Sequence, residues 1–264
     1  MKYKSLSDFV DDLQTRGRYT FTRDEAKEAL DVSDLALKRA LERLFKKRRI
    51  VMVEREFYVN VPLEYQASGV LPASWFIDDL MRFTGRPYYV GLLSAAAIHG
   101  AAHQQPQEFH VITVRPKRDI ELTDLRIRFF RKSEMERTPV VQVKTETGFI
   151  RASNPPATAI DLVRYEARIG GINRTVTVLQ ELAETIKGRE LLEAAKTEKK
   201  LAHLQRLGYL LEKIGRDDIV SSLFRWIAFR RPSKVALEPR LPQKGYPRDR
   251  RWNVIANVEV EGEL

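Results

Sequence analysis

Three histidines in one short stretch, His99, His103 and His110, are the residues whose spacing first suggests chemistry. His99 and His103 stand at i and i+4, so on a helix both would face one way, as a helical pair of metal ligands does. Gly100 weakens the helix between them, and no Glu precedes His103 in the zinc-protease pattern. Histidines satisfied in a core or at a helix end are the expected reading, with no metal and no cofactor. Ser94 near His99 raises nucleophilic catalysis, but no G-x-S-x-G turn surrounds it, and "SAAAIHG" reads as close helix packing through small residues. The acidic pairs Asp11-Asp12, Asp78-Asp79 and Asp217-Asp218 are neighbours on predicted helices, so the two members of each diverge. No phosphate-binding glycine loop, dinucleotide fingerprint or kinase signature is present. A binding protein rather than an enzyme is expected.

The cations are the stronger signal. The chain of 264 residues carries a formal net charge of +10. Residues 38–49 hold seven cations (Lys38, Arg39, Arg43, Lys46, Lys47, Arg48, Arg49) against Glu42, a local +6. Residues 225–251 hold nine (Arg225, Arg230, Arg231, Lys234, Arg240, Lys244, Arg248, Arg250, Arg251) against Glu238 and Asp249, a local +7. The remainder is therefore slightly acidic, and two discrete basic regions suggest a polyanionic partner.

The elements that must position the first region are legible. Leu6, Phe9, Val10 and Leu13 line one face of a helix that Gly17 ends. Thr22 and Glu25 form a capping-box pattern opening a second helix. Ser33 caps a third, in which Leu37, Ala40, Leu41 and Leu44 lie on one side and Arg39, Glu42, Arg43 and Lys46 on the other. Ile50–Val53 and Phe57–Val61 then read as strands about a turn at Glu54-Arg55-Glu56. Helix, helix, helix, hairpin is the order of a winged helix-turn-helix over residues 1–68. Such a third helix would bring Ser33, Lys38 and Arg39 toward base edges and set Lys46, Lys47, Arg48 and Arg49 on phosphates. Glu54 and Glu56 place acid at the tip of the wing.

A proline- and glycine-containing boundary leads into a connecting helix, together spanning residues 69–85, and then an α+β domain over 86–264. There the spacing predicts a helix through "YYVGLLSAAAIHG", strands at "FHVITVRP" and "LRIRFFRK", a hairpin with Gly148 near its turn, and helices from "NPPATAIDLVR" to about Arg231. A terminal strand in "RRWNVIANVEVEGEL" is expected to return to the early sheet. In the second basic region the aromatics Tyr246 and Trp252 interleave with Lys244, Arg248, Arg250 and Arg251, so a further polyanion contact and a surface loop are both open readings. The chain has no cysteine, so no disulfide framework or thiolate metal site is available. No signal peptide or membrane-spanning run is visible, and a cytoplasmic protein is expected.

The N-terminal winged helix, the Tyr88-Tyr89 segment running through small residues to Gly100, "RLGYLL" at 206–211 and the closing "LEP…KG…RDRRWNVIANVEVE" resemble, in order and spacing, the AbiEi family of antitoxins from bacterial abortive-infection, type IV toxin–antitoxin systems. The resemblance implies a winged helix-turn-helix domain followed by a larger mixed α/β antitoxin domain. It implies that the N-terminal domain binds inverted repeats of double-stranded DNA in its own promoter and represses the operon. It further implies a cognate nucleotidyltransferase-like toxin, countered directly or functionally, with the protein a monomer or homodimer. Ser33, Lys38, Arg39, Arg43 and Lys46 take the recognition-helix role on this reading. Lys244, Arg248, Arg250 and Arg251 become the positive surface of the antitoxin domain. The alternatives are a transcriptional regulator with a ligand-sensing C-terminal domain and no toxin, and a nuclease with carboxylates assembled in space.

Overall fold

The computed structural model describes residues 3–101 and 108–260. In chain order the elements are α1 (Leu6–Thr15), β1 (Thr20–Thr22), α2 (Arg23–Leu30), α3 (Asp34–Lys46), β2 (Ile50–Glu54), β3 (Phe57–Asn60), α4 (Ile77–Phe83), β4 (Tyr88–Val90), α5 (Leu92–Ile98), β5 (Glu108–Thr113), β6 (Ile120–Glu121), β7 (Arg126–Arg131), β8 (Val140–Thr145) and β9 (Gly148–Ser153). They continue with α6 (Pro155–Arg164), α7 (Gly171–Leu182), α8 (Gly188–Thr197), α9 (Leu201–Lys213), α10 (Asp217–Ala228), β10 (Val235–Ala236), β11 (Arg248–Asp249) and β12 (Val254–Ile255). The fold is mixed α+β. The chain forms two compact units that interleave in sequence: unit 1 is Met1–Tyr88, Gln107–Ser133 and Gln142–Arg151, and unit 2 is Tyr89–Pro106, Glu134–Val141 and Ala152–Leu264. Among the described residues no helix is long and apolar enough to cross a membrane.

In unit 1, helices α1, α2 and α3 close over a three-stranded antiparallel sheet in the order β1-β3-β2. Strand β1 was not expected; Thr20-Phe21-Thr22 is too short to show a period, yet it pairs with Val59, Tyr58 and Phe57 and buries Phe21. One core joins Leu6, Phe9, Val10 and Leu13 of α1 to Phe21, Leu37, Leu41, Leu44, Ile50 and Tyr58. The caps form as the sequence requires. Thr22 accepts from the Glu25 N–H while Glu25 accepts from the Thr22 N–H, and the Ser33 hydroxyl accepts from the Ala36 N–H at 3.3 Å. Asp34, in the first turn of α3, pairs with Lys27 at 3.1 Å and Arg23 at 3.3 Å, and these partners hold its carboxyl below its ordinary pKa, Lys27 most strongly.

The end of α3 answers how a helix passes into a strand without a glycine. Arg48 takes the left-handed conformation, φ 52°, and the Arg48 and Arg49 N–H groups donate back to the Phe45 and Leu44 carbonyls at 2.9 and 3.0 Å. This is a Schellman closure with arginine where glycine is usual. Elsewhere in unit 1, β5 and β7 run parallel from Glu108↔Arg126 to Thr113↔Arg131, and β6 lies antiparallel on β7.

Unit 2 is built around α9, which is buried on nearly every side. Tyr88-Tyr89-Val90 is strand β4 rather than the start of a helix; adjacent aromatic and β-branched residues suit a strand, and α5 begins only after the extended Gly91. Val90 pairs in parallel with Ala152 of β9, and the Tyr89 hydroxyl donates to buried Asp161 at 2.6 Å. The terminal strand does not return to the early sheet. It shrinks to β12, which pairs in parallel with β10 and antiparallel with β11 in a small sheet of its own. Positive φ at Asn253 and the Asn257 amide, which donates to the Glu238, Leu241 and Pro242 carbonyls, break the alternation that the sequence displays.

Trp252 fixes this end. It is 1% exposed, stacks edge-on against Phe224 of α10 and lies over Gly208 of α9, where a Cβ would come within 2.2 Å of its ring. The Gln205 amide donates to the Trp252 and Ser233 carbonyls at 2.9 Å each. Glycine inside a helix ordinarily costs about 1 kcal/mol relative to alanine. Here the sign reverses, and Gly208→Ala is expected to lower unfolding stability by about 1–3 kcal/mol through overpacking, measured by thermal or urea unfolding of the purified variant. Arg48→Gly should instead gain about 1 kcal/mol by relieving the left-handed strain at the end of α3, read as a raised urea midpoint.

Candidate nucleic-acid interface

The packing of α3 decides what it presents. Leu37, Leu41 and Leu44 are buried, whereas Lys38, Arg39, Arg43 and Lys46 stand exposed on the other face, followed by exposed Lys47 and Arg48. Among the described residues none of these six has a carboxylate at ion-pair distance. Such a row of uncompensated charge is a surface suited to polyanions. Arg49 differs: half-buried, it pairs with Asp11 of α1, tying the end of α3 to the first helix. Ser33 is exposed, with its hydroxyl committed to the α3 cap.

The acid at the tip of the hairpin is only half of what its sequence suggests. Glu54 ends β2 and pairs with Lys117, whose ammonium also lies 5.3 Å from the centre of the Phe129 ring. Burial pushes the Glu54 carboxyl up, but the hydrogen bond and charge of Lys117 and the Arg55 N–H outweigh this and hold it below its ordinary value. Glu56, in the turn at φ 64°, is exposed, so one negative charge rather than two faces outward.

The second basic region is assembled from two segments. The Asn253 amide donates to the Pro232 carbonyl at 2.9 Å and the Val235 N–H to the Asn253 carbonyl at 3.1 Å, which sets residues 229–235 beside 248–254. Lys244, Arg248 and Arg250 are exposed and have no carboxylate at ion-pair distance among the described residues. Arg251 is pinned, pairing with Glu212 of α9 at 2.8 Å and lying 4.8 Å over the Phe224 ring. Trp252 is not a surface aromatic interleaved with these cations but core, because Gly208 leaves room for it; Tyr246 remains exposed. Sequence reasoning passed over the end of α10, where Arg230 stacks on Trp226 and Phe229 stands exposed; the available signal was a tryptophan and a phenylalanine three apart followed by two arginines.

Of the three histidines in the 99–110 stretch, the two described, His99 and His110, make separate contacts. His99 donates from Nε2 to the Ser153 carbonyl at 2.7 Å, His110 is buried on β5 with its ring edge-on to Phe130, and His103 lies outside the described residues. Among the described residues no three His, Cys, Asp or Glu converge as metal ligands. The acidic pairs are taken up by neighbouring side chains: Asp78 and Asp79 share Arg82 and also bond Tyr88 and Thr20 respectively, Asp12 pairs with Tyr3 and Arg16 while Asp11 pairs with Arg49, and Asp218 pairs with Arg216.

Residues 89–213 match the family of AbiEi antitoxin C-terminal domains. The crystal structure of the RV2827C protein from Mycobacterium tuberculosis shares the fold, with a TM-score of 0.68 over 97% of this chain and 92% of that one at 14% sequence identity. The crystal structure of an antigenic nucleotidyltransferase-like protein from Paracoccidioides brasiliensis matches over 57% of this chain and 89% of that one at 9% identity, with a TM-score of 0.34. No curated protein matches. Residues 89–213 thus carry an AbiEi antitoxin C-terminal domain.

Proposed function

We propose that residues 1–68 act as a winged helix-turn-helix that binds duplex DNA of the protein's own promoter and represses the operon, and that the AbiEi domain counters a nucleotidyltransferase-like toxin. On this reading the protein works by binding and not by catalysis. The supporting observation is the division of α3 into a buried leucine face and an exposed face of Lys38, Arg39, Arg43 and Lys46 that, among the described residues, has no acidic partner at ion-pair distance. A helix held this way by α1, α2 and the β1-β3-β2 sheet has the dimensions to enter a major groove. Lys38 and Arg39, nearer its N-terminus, reach base edges, while Lys46, Lys47 and Arg48 at its end meet phosphates. Arg49 takes a positioning role through Asp11 rather than a phosphate. The pairing of Glu54 with Lys117 lets the hairpin approach the backbone, with Glu56 as the remaining repulsive charge. Lys244, Arg248 and Arg250 add a second cationic surface on unit 2.

The test is a pair of substitutions read on DNA from upstream of the gene. Arg39→Ala should change which bases are preferred, costing about 1–3 kcal/mol at its contacted position. Lys47→Ala should weaken all sequences alike and reduce the salt slope by about one. Affinity and sequence preference unchanged in both variants would remove α3 as the reading element. Glu56→Gln should tighten binding to any duplex, whereas Glu54→Gln should not, because its charge is already met by Lys117; both are measured by fluorescence anisotropy at fixed salt.

A further inference from the structure

The end of α10 in unit 2 carries a feature that duplex binding by α3 leaves unused. Phe229 is 88% exposed, one helical turn from Trp226. The Arg230 guanidinium lies 3.6 Å from the centre of the Trp226 ring, held there by a hydrogen bond from Nη1 to the Trp226 carbonyl at 2.8 Å. A stacked arginine and tryptophan one helical turn from a bare phenylalanine put π-rich surface at the end of α10, the Trp226–Arg230 part of it held in place by stacking and a hydrogen bond. Arg225, Arg231 and Lys234 flank it in sequence, all exposed and, among the described residues, without a carboxylate at ion-pair distance. The acids of α10 itself, Asp217 and Asp218, lie in its first turn, at the opposite end. The bond from Asn253 to Pro232 brings the cationic 248–251 segment alongside.

Phosphates alone would be served by the cations. A phenylalanine left almost wholly in water among them is not explained by a duplex, whose bases are stacked within and offer no faces. Unpaired bases do offer faces, and alternation of aromatic platforms with arginines is the recurrent solution for single strands. We propose that the α10 end of unit 2 binds single-stranded nucleic acid, with bases stacking on Phe229 and on the Trp226–Arg230 pair and the backbone tracking Arg225, Arg231 and Lys234. This surface belongs to unit 2, and the proposal does not rest on the promoter reading.

The experiment is fluorescence anisotropy of the full chain on a labelled mixed-sequence 20-mer as RNA, as single-stranded DNA and as duplex, with wild type, Phe229→Ala and Phe229→Tyr. Phe229→Ala should weaken single-strand binding about 5- to 100-fold, the range for loss of one base–aromatic stack. It should leave duplex affinity unchanged, and Phe229→Tyr should restore the single-strand value. Preference for RNA or for DNA names the source of the strand, and either supports the proposal. Single-strand affinity unchanged in Phe229→Ala, or an equal fall on single strand and duplex, would overturn it. Wild type that ignores single strands but binds anionic phospholipid vesicles would also overturn it, assigning the patch to a membrane surface. Phe229 is 88% exposed, so the variants are expected to fold as wild type, which circular dichroism checks.

Discussion

The burial of Leu37, Leu41 and Leu44 against Phe21, Ile50 and Tyr58 is the constraint on which the N-terminal part of the structure depends. A helix has one orientation about its axis once three residues at this spacing are committed to a core. The cations of α3 are therefore turned to solvent by the hydrophobic effect, not by any attraction of their own. The same packing dictates the exit. Leu44 must remain inside and Ile50 must enter the sheet, leaving five residues in which to reverse direction. Arg48 accepts the left-handed conformation that this demands, and the Asp11–Arg49 pair fastens the result to α1. Strain and charge thus fall on the same residue, which suits a position required for a cation more than for a turn.

A second constraint organises unit 2. Gly208 is a poor helix residue, tolerated because Trp252 occupies the space a side chain would fill. That one contact turns the C-terminal segment back onto α9 and α10, and Gln205 secures it through two carbonyls. The basic residues following α10 and those preceding Trp252, separated in sequence, become neighbours as a consequence. The "RLGYLL" and "RDRRWN" stretches that carry the resemblance to AbiEi antitoxins are the two sides of this contact, so their joint occurrence has a packing reason.

Much of this was legible in the chain. The three helices, their caps and the hairpin follow from periodicity and from Thr22, Glu25 and Ser33, because those signals are local. What was hidden depends on tertiary partners. Strand β1 is three residues long and is a strand only because β3 lies beside it. The Tyr88 segment has an apolar run that suits helix or strand equally, and its pairing decides. The closing alternation promised a long strand, but Trp252 and Asn253 answer to Gly208 and to a left-handed turn rather than to a sheet. Charge was read correctly as a count and incompletely as a surface: Arg49 and Arg251 are spent on Asp11 and Glu212, and no sequence pattern announces such long-range partners.

The most direct measurement of the central claim is fluorescence anisotropy of the full-length protein on duplex DNA from just upstream of its gene, against a scrambled duplex, across a series of salt concentrations. Tighter binding to the upstream DNA is expected, with affinity falling steeply in salt by a log–log slope of roughly −0.9 for each phosphate contacted. Weak binding of equal strength to both duplexes would contradict sequence reading by α3 and leave its exposed cations as a general polyanion surface.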